Sequence, residues 1–175
     1  MRDRVNDAKK MYIEAMFEVL VFVYENYWRG DACPELQQLG RKLSAAGFEF
    51  EDIQQALQWL DGLNIASQNT ELIDISQSRP EHHTESHNSL RIYSVAEQDH
   101  LGAACLGFIQ FLEAAEVLSP HMREIVLDRA MAVPGHPMSL DDLKIIVLMV
   151  YWSAGLEPDA LILDELCDDS DRVAH

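Results

Sequence analysis

Apolar residues recur at intervals of three and four along most of the chain, and most of these runs open or close on a residue suited to a helix end. The densest run is SLDDLKIIVLMVYWSAG, residues 139–155. Ser139 is a natural N-cap, Asp142 stands where a capping box places glutamate, and Met138 with Leu143 fits a hydrophobic staple. From Ile145 to Trp152 the only polar groups are the Tyr151 hydroxyl and the Trp152 indole nitrogen. A helix apolar on nearly every side must be surrounded by other elements. This one is too short to span a bilayer, and Gly155 followed by Pro158 supplies its stop.

The rest of the chain predicts those surroundings. Residues 11–29 read as a first long helix. Its narrow polar stripe is Glu14, Glu18, Glu25 and Arg29, and its broad apolar side includes Met16, Leu20, Val23 and Tyr27. Residues 1–10 are polar and expected to be poorly ordered. Pro34 fits N1 of a second helix with Leu36, Leu39, Leu43 and Ala46 inward, closed by Gly47. A third helix is predicted over 50–61, with Ile53, Ala56, Leu57 and Leu60 inward. The short connection between these two has the spacing of a helix-turn-helix, and the first helix would complete a trihelical unit.

Between residues 64 and 93 the pattern turns polar and histidine-rich. The alternation at 72–75 and LRIY at 90–93 admit two short strands, which after three helices would give a winged-helix topology. Ser94 and Glu97 then open a helix whose core stripe is Leu101, Ala104, Cys105, Phe108, Leu112 and Ala115. Gly102 and Gly107 within it predict the close approach of another helix. Ser119-Pro120 opens a further helix to about residue 132, with Met122, Ile125, Val126 and Ala130 inward and Arg123, Glu124 and Asp128 facing solvent. A short helix is expected over 159–167. The organisation is therefore mainly α: an extension over 1–15, a trihelical or winged-helix-like region over 16–63, a polar linker over 64–93, a helical bundle over 94–167 and an acidic tail over 168–175.

Composition narrows the partners. Apolar residues make up 48% of the chain, enough for a sizeable core, and 30 Asp and Glu against 13 Lys and Arg give a net charge of −17. Such a polyanion repels phosphate backbones and anionic membranes unless cations cluster locally, and these do not. Cys33, Cys105 and Cys167 form no C-x-x-C pair or disulfide framework, which fits a reducing cytoplasm. The basic start imitates a signal peptide, but Glu14 and Glu18 interrupt the apolar run and no small-residue cleavage site follows.

No pattern announces catalysis. Glu81, His82, His83, Glu85 and His87 carry metal-ligating groups, but on a segment with no predicted rigid scaffold, so no metal or cofactor is expected. Cys105 belongs to an apolar stripe and reads as a structural thiol, and His100 as an exposed helical histidine. Asp141 and Asp142 are explained by a helix start. Glu124 and Asp128 lack the histidine that a di-metal helix motif requires. The helix at 50–61 occupies the recognition position of a helix-turn-helix but presents Glu51, Asp52 and Asp61 and no Lys or Arg; Gln54, Gln55 and Gln58 are its only base-reading candidates.

LSAAGFEFEDIQQALQWLDGL at 43–63, RIYSVAEQDHLGAACLGFIQFLE at 91–113, REIVLDRAMAV at 123–133 and the run at 139–155 together resemble, in the same order, the bacterial Smg family. The resemblance covers about residues 16–164. It implies a small cytoplasmic bacterial protein and carries over no catalytic residue.

These features predict a non-enzymatic adaptor or regulator that binds another protein, basic or part of a nucleoprotein complex, through an acidic helical surface. Glu51, Asp52 and Gln55 are expected to be accessible on that surface, with a partly exposed Trp59 at its rim as contact anchor or as a seal between the two halves. The alternatives are a nucleic-acid-associated regulator using the helix-turn-helix-like region, and a hydrolytic enzyme with an unrecognised site.

Overall fold

The three serines expected to start helices all do so. A computed structural model of the chain describes residues 2–27, 35–76, 91–135 and 137–156, with side chains from residue 13 of the first helix and up to residue 68 of the third. Among these residues there are six helices and no strand: α1 (Arg2–Tyr27), α2 (Leu36–Ala46), α3 (Phe50–Ser76), α4 (Val95–Ala114), α5 (Pro120–Met131) and α6 (Leu140–Ser153). Ser94 and Glu97 form a complete capping box, with Ser94 N donating to Glu97 Oε2 at 2.7 Å and Glu97 N donating to Ser94 Oγ at 3.3 Å. Ser119 Oγ accepts from Met122 N, and Ser139 Oγ from Asp142 N. Gly47 and Gly155 take left-handed conformations past α2 and α6. The following amides reach back to Leu43 O and Tyr151 O, which satisfies carbonyls that a helix end leaves open.

As its composition requires, α6 is enclosed. Leu143 and the run from Ile146 to Tyr151 are buried, and α1, α3, α4 and α5 all pack on it. The Tyr151 hydroxyl donates to Val117 O, so the one phenol in this helix carries its hydrogen-bond partner into the interior. Lys144 is buried too, its ammonium 5.9 Å from the Phe108 ring centroid, within cation–π reach. The second hub is α3, which touches α1, α2, α5 and α6. Buried residues from all six helices form one continuous hydrophobic cluster, so the N-terminal trihelical unit and the C-terminal helices share a core.

Several elements differ from expectation. Residues 2–10 continue α1 upstream; they contain no Gly or Pro to stop it. The third helix runs on through 64–76, so the first part of the expected linker, and the strand at 72–75, are helix. Leu72 and Ile75 are three apart, a spacing that serves a helix as readily as the alternation serves a strand. Residues 91–94 carry no regular structure. Ala46, Ala104 and Ala115 face solvent rather than the core, while Ile109 and Leu127 are buried. Arg123 is half-buried in ion pairs rather than free in solvent. The second helix starts at Leu36 with Glu35 as its N-cap, so N1 is not Pro34 as expected. Trp28, Arg29, the rest of the linker at 77–90 and the helix expected at 159–167 lie outside the described residues.

Gly102 departs furthest. It is not a close-approach site, since nothing lies within 4 Å of where its Cβ would be, and the same is true of Gly107. Instead its φ of 68° and ψ of 174° break α4 into two segments at a kink. That region of backbone space is open almost only to glycine.

Candidate functional site

The outward side of α3 follows from its sequence. Phe50, Gln54, Gln58, Asp61 and Ile65 are spaced four, four, three and four apart and so share one side of the helix. All five are exposed, as are Glu51 and Gln55 beside them, while Asp52 is half-buried. Phe50 and Ile65, at the two ends of the stripe, are 72% and 52% exposed. No Lys or Arg occurs anywhere in α3. Ile53, Ala56, Leu60 and Leu63 occupy the opposite side, in the core.

Trp59 does not sit at a rim. It is only 5% exposed, because α5 covers the side of α3 that its own periodicity leaves open. Its indole Nε1 donates to Arg129 O at 3.2 Å, a carbonyl in the last turn of α5. Such carbonyls have no partner within their own helix. Trp59 thus bridges the two halves of the chain, and the expectation that it is partly exposed at a rim is corrected. Arg129 returns over α3, with Nη1 3.5 Å from Trp59 O, while Nε and Nη2 donate to Asp128 Oδ2 at 2.9 and 2.6 Å. A Cβ on Gly62 would lie 1.8 Å from that guanidinium, so the absent side chain makes the notch in which Arg129 lies. An isolated glycine inside a helical pattern is the sequence signal for such a contact.

Around this seam is a cleft of about 490 Å³. Its floor is Met16, Ile13 and Trp59; Gln55 and Gln58 form one wall and Arg129 the other. Ala132 and Pro134, just past α5, make its lip. Glu51 and Asp52 lie one helical turn before Gln55 on the same flank of α3.

An ion network fastens the segment before α4. The Arg91 guanidinium donates to both oxygens of Glu97 and both of Glu124, at 2.8–3.2 Å, and lies 4.8 Å from the Tyr93 ring centroid. Arg123 joins Glu124 to Glu113. Arg91 holds the Glu97 carboxyl down to about 2 from an ordinary 4.5. Because the folded value is depressed, the stabilisation is complete above about pH 4.5 and is lost as pH falls from there toward about 2. Glu97→Gln retains a residue able to close the capping box and removes the charge. Its midpoint of thermal unfolding should fall below wild type at pH 7, and the gap should close through that window. A constant gap would contradict the assignment.

The remaining candidates are placed apart. His100 is 3% exposed, not solvent-facing, and its Nε2 lies 3.0 Å from Ala130 O. A carbonyl only accepts, so Nε2 carries the proton. The ring adds a second donor to a carbonyl at the end of α5 that Val133 N already reaches, a contact invisible from α4 alone. Cys105 is fully buried, and burial, followed by the charge of Asp142, pushes its thiol up to about 11. That thiol donates to Met138 O and Ser139 O at 3.6 Å. Asp142, beside the Ser139 cap, has its carboxyl raised by burial and by Asp141 and Glu14. Among the described residues no group of three His, Cys, Asp or Glu could hold a metal ion, and no helix is long and apolar enough to cross a membrane. The histidine cluster at 81–87, Cys33 and Cys167 lie outside them.

Comparison with known proteins agrees with the resemblance in the sequence. The family described as Protein of unknown function (DUF494) matches residues 16–175. A Protein Smg homolog from Leptothrix cholodnii is 60% identical over 163 residues, covering 91% of this chain and all of that one. The homolog from Methylibium petroleiphilum is 58% identical over 161 residues, with the same coverage, and that from Herminiimonas arsenicoxydans 53% over 159 residues, covering 91% and 97%. No solved structure matches. A match this long and at this identity makes the chain a member of the bacterial Smg family.

Proposed function

We propose that the protein is a non-enzymatic adaptor or regulatory partner that binds another protein through the outward side of α3. The observation that carries this reading is the exposed stripe from Phe50 to Ile65, apolar at both ends and polar between, with Glu51, Asp52 and Asp61 and no cation. The acids along this stripe favour a basic partner and set its orientation, and Phe50 and Ile65 give it an apolar contact at each end. The same charge opposes phosphate. Fluorescence anisotropy with mixed DNA and RNA at near-physiological salt is expected to give no submicromolar binding sensitive to Gln54, Gln55 or Gln58; such binding would favour a nucleic-acid regulator instead.

The test is crosslinking in native extract followed by recovery on wild type and on the double variant E51K/D52K. Glu51 is exposed and Asp52 half-buried at the start of α3, where acids favour the helix dipole, so reversal costs about 1–2 kcal/mol of stability but leaves the core intact. The variant should keep its helical content and lose the specific partner at least tenfold. Undiminished recovery of every specific partner would reject this surface.

A further inference from the structure

We infer that the cleft between α1, α3 and the end of α5 is the anchor pocket of that interface, and that it takes a large apolar side chain flanked by Lys or Arg on a short segment of the partner. This rests on the acidic α3 surface and goes further, in naming where the contact is deepest and what fills it. The floor presents Ile13 and the exposed edges of the otherwise buried Met16 and Trp59 as apolar surface, and Trp59 Nε1 is already given to Arg129 O. At about 490 Å³ the cleft is within the roughly 300–1,000 Å³ range of binding pockets. Gln55 and Gln58 stand exposed on its wall with both donors and acceptors, the groups needed by the backbone of a segment lying along α3.

Charge selects the flanks. Glu51 and Asp52 stand one turn up the helix from Gln55, and Asp61 less than a turn beyond Gln58. Among the described residues that line the cleft the one cation is Arg129, which is paired with Asp128 and laid into the Gly62 notch. A basic segment therefore gains at both ends of the pocket, whereas a second copy of a chain of net charge −17 is repelled. A buried apolar anchor dominates such an interface, and the charges around it set orientation.

The floor residues belong to the core, so the pocket is tested from its lip. Ala132 is exposed, and Ala132→Trp fills the cleft without entering the interior. A random peptide library displayed on phage is selected on the full wild-type chain alone, with folding of each variant checked by circular dichroism. The selected peptides should share an aromatic or large aliphatic residue between Lys or Arg and shift the Ile13 and Met16 methyl resonances. They should lose at least tenfold in affinity for A132W and separately for E51K/D52K. Undiminished affinity for A132W, or unmoved methyl resonances, overturns the pocket and leaves the acidic surface standing. Loss with A132W but not with E51K/D52K overturns the acidic surface and the basic flanks assigned here. No enrichment, or enrichment of acidic peptides, overturns both. Should A132W fail to fold, the methyl shifts decide.

Discussion

Replacing Trp59 with alanine is expected to lower the unfolding free energy by about 3–5 kcal/mol, the usual loss when a buried aromatic residue is truncated in a core. The effect belongs at the upper end because two losses coincide. The indole is 5% exposed and packs where α3 meets α5, and its Nε1 also satisfies the Arg129 carbonyl at the open end of α5. Trp59→Phe keeps most of the packing and leaves that carbonyl without its donor, so it should cost about 1–3 kcal/mol. Because one continuous cluster joins the helices on both sides of this seam, denaturation of W59A followed by circular dichroism should show a single cooperative transition at lower denaturant. A variant that unfolds in two separated steps, or that matches wild type, would show that Trp59 does not join the two halves.

Gly102→Ala is expected to destabilise by about 1–3 kcal/mol, although no atom stands in the way of the added methyl group. The cost is in the backbone, since φ 68° with ψ 174° is strained for any residue carrying a Cβ. Gly107 is the control in the same helix. It is exposed, helical and equally unobstructed, so Gly107→Ala should stabilise by about 0.5–1 kcal/mol through helix propensity. The two substitutions are chemically identical and should move the thermal midpoint in opposite directions. Equal signs would refute the kink.

What the sequence made legible was whatever is encoded within one element. Ser94 with Glu97, Ser119 with Pro120, and Ser139 each announce a helix start by satisfying local amides, and the unbroken apolar run after Ile145 requires enclosure. The length of α3 was hidden because 64–71 is polar apart from Ile65 and Ala66, and polarity resembles a linker when no neighbouring helix is in view; the absence of Gly or Pro between Gly62 and Pro80 was the better guide. Trp59 and His100 were misplaced for a shared reason. Periodicity finds the side of a helix facing its first neighbour, whereas both residues donate to carbonyls at the end of α5, 70 and 30 positions away. The same distance conceals the Arg91–Glu124 pair and the cleft itself. On α3, by contrast, the exposure of Glu51 and Gln55 was legible, because a solvent-facing stripe depends on one helix alone.

The most direct measurement places a photo-crosslinking amino acid in the living cell at Gln54, in the middle of the exposed α3 stripe, and separately at Ala104 on the exposed side of α4. Both positions face solvent, so neither substitution disturbs the core. The account predicts a discrete covalent adduct with another protein from position 54 that is absent from position 104 and disappears when E51K/D52K is added. An adduct from position 104 alone, or none from position 54, would contradict it.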